Sequence, residues 1–190
     1  MAKINYFDSL DSLAQLCSRA VFIACSPAEA SARCEMSELR KQAGTTLCVL
    51  EEALFCDFMP PLERNSIAAC AHSILRVIDR CDDLLDYRAS QRSAIGTKNK
   101  EAELCIRLTE YVQDGVSRLR RLKKPRERPD LVGFRKLISE AESAHSALQR
   151  QIRTESAFRS TGRELMLTGR LRRELSHCFD KIVETMLCNI

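Results

Sequence analysis

Met59-Pro60-Pro61-Leu62-Glu63-Arg64, continued through Ile67, Ile74, Asp79, Asp82, Asp83 and Asp86, decides how the rest of the chain reads. A proline lacks the N–H and its ring clashes with the preceding turn, so a helix interior rejects it while a first helical turn accepts it. Pro60 and Pro61 therefore predict a break, then a helix beginning near Pro61. At 100° per residue, Ile67, Cys70, Ile74, Val77, Ile78, Cys81 and Leu85 fall on one apolar stripe of that helix. Asp79, Asp82 and Asp86 gather beside the stripe, and Asp79 with Asp83 and Asp82 with Asp86 are pairs four residues apart. Carboxylates stacked in this way repel one another until a cation neutralises them. That cation can be an arginine, with Arg76, Arg80 and Arg88 at hand, or a metal ion, because hard cations collect carboxylate oxygens. Both readings stand at this point.

Working outward, a chain of 190 residues can bury a real core. With 45% hydrophobic and 29% charged residues it has the composition of a soluble globular protein, yet it carries only 6 glycines, 5 prolines, 5% aromatic residues and no tryptophan. So few turn formers favour long helices over many short strands, and the expected class is all-α. A formal net charge of +4 is too small to point to nucleic acid. The ten cysteines, Cys17, Cys25, Cys34, Cys48, Cys56, Cys70, Cys81, Cys105, Cys178 and Cys188, contain no Cys-x-x-Cys pair of the kind that supplies two zinc ligands from one turn. Most fall on apolar helix faces, as free thiols packed like small hydrophobes do, which implies a reducing compartment and hence the cytoplasm. The longest apolar run, Ala20 to Cys25, is far short of the roughly 20 residues that span a bilayer. Met1-Ala2-Lys3-Ile4-Asn5 leads into a periodic segment and shows no signal-peptide pattern.

In chain order, apolar residues from Tyr6 to about Ala24 recur at three and four and predict a first helix. Ser26-Pro27 reads as an N-cap with proline at the first helical position and Glu29 in the first turn, so a second helix is expected from there to about Phe58, with a kink near Gly44. The third is the aspartate-bearing helix. A polar connection, Ser90 to Lys98, leads to a fourth from about Lys100 to Leu122, and the basic loop Lys123 to Asp130 follows. A fifth runs from Leu131 or Phe134 through Ile152. An interruption at Ser160-Thr161-Gly162 is expected before the sixth.

Three helices, a connection and three helices suggest a repeat. An offset of 101 residues sets Leu47 on Leu148, Ala43 on Ala144, Cys70 on Leu171, Ile74 on Leu175, Asp79 on Asp180 and Asp83 on Glu184. Asp180 then holds the same angle to its own apolar stripe as Asp79 does. The expected organisation is a single domain over 1–190, with half-repeats of about 1–89 and 102–190.

Tyr6-Phe7-Asp8, Met59-Pro60-Pro61-Leu62-Glu63-Arg64 with Ile67, and Val77-Ile78-Asp79 together resemble the PhoU-like family of phosphate transport regulators, in the branch associated with inorganic phosphate permeases. The resemblance covers nearly the whole chain in helix order and length. It implies two three-helix bundles, a regulatory role in phosphate transport, and acidic motifs, a carboxylate and an Asp four residues later, that can bind clusters of iron or another divalent metal. The motifs are degenerate here. Arg40 and Gly44 stand where the second helix would carry acids, Leu75 precedes Asp79, Ala141 and His145 occupy the fifth-helix positions, and Ser176 precedes Asp180. The candidate metal ligands are Asp79, Asp82, Asp83, Asp86 and Asp180.

Arg118, Arg120, Arg121, Lys123, Lys124, Arg126 and Arg128 form the strongest local charge bias. Such a cluster can attract an anionic membrane surface, at about 1 kcal/mol per cation close to it, or be a solvated loop. With the resemblance it implies docking at the cytoplasmic face of a permease, peripheral to the inner membrane, and leaves room for a homo-oligomer. Interleaved aromatics that would stack bases are missing, which argues against single-stranded nucleic acid. His72, His145 and His177 form no sequence-level triad, and no phosphate-cradling glycine loop occurs, so no enzyme is expected. The expected function is a PhoU-like accessory protein working by protein contact. The alternatives are a metal-binding helical protein and a helical scaffold that has lost the family's metal-dependent role.

Overall fold

The computed structural model describes residues 5–27, 31–91, 100–122, 129–154 and 158–189, with side chains for all of these except 91, 151–154 and 158–161. Among them the chain is all-α: α1 Tyr6–Cys25, α2 Ala32–Cys56, α3 Arg64–Gln91, α4 Lys100–Leu119, α5 Leu131–Thr154 and α6 Phe158–Cys188.

The helix ends explain where these bounds depart from expectation. Asn5 starts α1 by accepting a hydrogen bond on its side-chain oxygen from the Phe7 N–H at 3.2 Å, satisfying one of the donors a helix start leaves open. Ser26 does not cap a second helix. Its N–H donates to the Phe22 carbonyl at 2.9 Å, so it closes α1, and α2 begins only at Ala32. Glu29, expected in the first turn, lies outside the described residues. Likewise α3 begins at Arg64 and not at Pro61. The Arg64 guanidinium donates to the carbonyls of Asp57 and Phe58, which holds Pro60 and Pro61 in a reversal between helices. Leu62 in that reversal is buried, and the Glu63 carbonyl accepts the Ile67 N–H at 3.0 Å. Asp130 caps α5 twice, its carboxylate taking the Gly133 N–H at 2.8 Å and its carbonyl the Phe134 N–H at 3.1 Å. No break occurs at Ser160-Thr161-Gly162, which lie inside α6.

α2 packs on α1 and α3, and α5 packs on α4 and α6. The two triplets meet along α1 with α4 and α3 with α6, so each joining helix faces its counterpart three elements on. One apolar core runs through both, with Leu10, Leu13, Met36, Leu50, Ile74, Ile78, Leu108, Phe134 and Phe179 all under 2% exposed. Phe134 and Phe179 stack with ring centroids 3.9 Å apart, and Tyr111 meets them edge-on at 5.7 and 6.4 Å. Gly115 lets α4 close on this cluster, since a Cβ there would stand 3.0 Å from the Ile182 methyl.

The N-termini of α1, α3 and α5 share one end of the bundle with the C-termini of α2, α4 and α6. Tyr6 bonds to Asp57, Arg120 to Asp11, and the Glu63 N–H to the Asn189 side chain at that end. Among the described residues no helix is long and apolar enough to cross a membrane.

Candidate functional site

The outer face of α3 is a ladder of ion pairs. Arg40 of α2 lies between two of the candidate aspartates, 3.0 Å from Asp79 and 2.7 Å from Asp82. Arg33 of α2 holds Asp86 at 2.7 Å, and Arg80 holds Asp83 at 2.9 Å. The fifth candidate, Asp180 of α6, takes Arg135 of α5 at 2.7 Å. Partial burial alone would lower the Arg40 pKa, but the charges of Asp82 and Asp79 outweigh it and the net shift is upward, so Arg40 stays a cation.

The neutralising arginines are therefore mostly not the ones expected. Of Arg76, Arg80 and Arg88, only Arg80 reaches the acidic flank. Arg76 turns toward Glu174 of α6 at 3.9 Å. Arg88 turns inward, where it is 13% exposed, pairs with Glu164 at 2.7 Å, and donates to the carbonyls of Ala24 and Ser26. Arg40, at a position where the family resemblance implies a carboxylate, supplies the cation instead. Among the described residues no group of three or more His, Cys, Asp or Glu is arranged to hold a metal ion.

In the basic stretch, Arg118 pairs with Asp114 at 2.6 Å. Arg120 bridges Asp8 and Asp11 of α1 and lies over the Phe7 ring. Arg121 follows in the turn after α4, and Lys123, Lys124, Arg126 and Arg128 lie outside the described residues. Near this end of the bundle Phe55, Phe58 and Met59 are 87%, 90% and 79% exposed, with Val132 and Leu187 exposed as well.

Sequence reasoning missed a buried polar network at the opposite end. Glu101 is 1% exposed, yet it lies 2.9 Å from His145 Nδ1 and accepts from Arg172 Nε at 3.2 Å. Arg172 turns its second nitrogen to Glu142 at 2.7 Å. Gly169 makes room, because a Cβ there would stand 2.8 Å from the His145 ring. Cys25 lies nearby, and burial pushes its thiol up to about 12. The signal in the sequence was positional: Glu101 continues the stripe of Cys105 and Leu108, and an acid on such a stripe needs a buried partner. His72, the other histidine with a carboxylate, lies 2.8 Å from Glu51 on the surface.

No family model matches the chain, and no curated protein matches it. Two solved structures from Shewanella oneidensis MR-1 are similar to it. One, described as a PhoU-like phosphate regulatory protein, is 15% identical, covers 97% of this chain and 96% of its own, and superposes with a TM-score of 0.59. The other, a PhoU-like protein, is 15% identical, covers 97% of both chains and has a TM-score of 0.60. At this identity the likeness shows the fold, which is PhoU-like over nearly the whole length.

Proposed function

We propose that the chain is a non-enzymatic, cytoplasmic PhoU-like accessory or regulatory protein of inorganic phosphate transport, acting by contact with a permease or a regulator. The observation that carries this reading is the likeness in fold, over 97% of the chain, to a structure described as a PhoU-like phosphate regulatory protein. The bundle end with Phe55, Phe58 and Met59 supports contact with a protein, because large apolar side chains left this exposed are characteristic of interaction surfaces. Phosphate uptake in cells deleted for the gene, with co-purification of the tagged protein and the cell's phosphate permease, tests the reading. Altered uptake together with a co-purifying permease is expected, and replacing Phe55, Phe58 and Met59 by Ser should release the permease while leaving the fold intact. Unchanged uptake without a co-purifying permease sinks it.

A further inference from the structure

A cleft of about 430 Å³ lies between the C-terminal turns of α3 and the N-terminal half of α6. Its α3 wall is Asp83, Asp86, Tyr87 and Ser90, and its α6 wall is Arg163, Leu167 and Arg170. Spacings of three and four put each set on a single helix face.

The charges on these walls do not cancel. Asp86 already holds Arg33, and Asp83 already holds Arg80, and neither of those arginines lines the cleft. Arg163 stands over the Tyr87 ring, 5.3 Å from its centroid, and its other contacts include no carboxylate among the described residues. Arg170 has no carboxylate partner among them either. Among the described residues two guanidinium groups without an ion-pair partner thus face one cleft, about 10 Å apart along α6 and within reach of a common ligand above Leu167. Guanidinium forks match the oxygens of a tetrahedral oxyanion, and the ring beneath Arg163 pre-orders one of them. The two aspartates add selectivity. They repel a fully deprotonated anion, but each can accept a hydrogen bond from an anion that keeps an O–H at neutral pH.

We propose that this cleft binds inorganic phosphate as hydrogen phosphate, with Arg163 and Arg170 holding its oxygens and Asp83 or Asp86 accepting its proton-bearing hydroxyl. The inference goes beyond the regulatory reading and does not depend on it, because binding is measured on the purified protein without a partner.

Calorimetric titration of the full chain at low salt with inorganic phosphate, sulfate and methyl phosphate tests it. Phosphate is expected to bind, and sulfate and methyl phosphate, which carry no O–H at pH 8, to bind on the order of tenfold more weakly or not at all. Arg163→Gln and Arg170→Gln should each weaken phosphate on the order of tenfold while circular dichroism stays unchanged. Asp86→Asn should narrow the gap between phosphate and sulfate. Phosphate that fails to bind, or binds the double variant R163Q/R170Q equally well, overturns the site. Sulfate or methyl phosphate binding as tightly as phosphate overturns the assignment of the ligand.

Discussion

At the scale of single residues, Arg40 decides how the acidic flank behaves. Two aspartates one turn apart converge on its guanidinium, so the repulsion expected from the sequence is relieved by the neighbouring helix. Arg40→Ala should lower stability by about 0.5–1 kcal/mol, as for other half-exposed pairs, and millimolar Mn²⁺ should recover part of that loss in the variant more than in the wild type. Thermal melts with and without the metal check both statements. Glu101 sits in a different regime. Glu101→Gln leaves Arg172, whose side chain is 8% exposed, with the exposed Glu142 as its one carboxylate among the described residues, and should cost about 3 kcal/mol or more. Glu142→Gln should cost about 1 kcal/mol or less, and chemical denaturation of the two variants compares them. Equal losses would contradict the buried role of Glu101. The sequence made the acids of α3 legible because they are clustered, but the partners of Asp79, Asp82 and Asp86 come from α2, 39 to 53 residues away in the chain, and only Asp83 is held from within α3. Glu101, His145 and Arg172 were illegible for the same reason, since each is isolated in sequence and only the fold brings them together.

At the scale of elements, amphipathic periodicity located all six helices, while several of their ends moved by a few residues. The reason is local chemistry that one sequence satisfies in two ways. Ser26 before Pro27 can cap the start of a helix or close the end of one, and the choice rests on where its N–H goes. Gly162 looked like a break, yet a single glycine costs a helix about 1 kcal/mol relative to alanine, which the buried face of α6 can offset. The two glycines of α6 make opposite predictions from this distinction. Gly162 has no neighbour within 4 Å of a would-be Cβ, so Gly162→Ala should stabilise the protein by up to about 1 kcal/mol. Gly169→Ala would press on His145 and disturb its contact with Glu101, and should destabilise by about 1–3 kcal/mol. Urea unfolding midpoints moving in opposite directions is the expected result, and a shared direction would refute the packing argument at Gly169.

At the scale of the whole molecule, the cysteines tie the core to pH. Cys17, Cys70, Cys81, Cys105 and Cys178 are fully buried in the structure, while Cys34, Cys48, Cys56 and Cys188 are exposed. Burial raises the buried thiols above their ordinary value of 9.0, Cys178 to about 12, and Cys25 is raised to about 12 as well. At pH 8 a thiol reagent should therefore modify the four exposed cysteines quickly and the five buried ones only on unfolding, because the thiolate is the reacting form. The same shifts set a limit on stability in base. A thiol whose folded pKa exceeds its unfolded value contributes fully below about pH 9, where both states are protonated. Above that the unfolded chain loses protons that the native core retains, so stability falls as pH rises toward 12. Each such thiol removes about 1.4 kcal/mol per pH unit in that window, and several acting together can exhaust a stability of about 5–15 kcal/mol within one or two units. Urea midpoints should be level from pH 7 to 8.5 and drop steeply between pH 9 and 11. Cys70→Ala, which removes one ionising group from the unfolded chain, should make that drop shallower even though it lowers stability at neutral pH by opening a small cavity. A midpoint that stays level to pH 11 would mean that these thiols do not control the core's response to base.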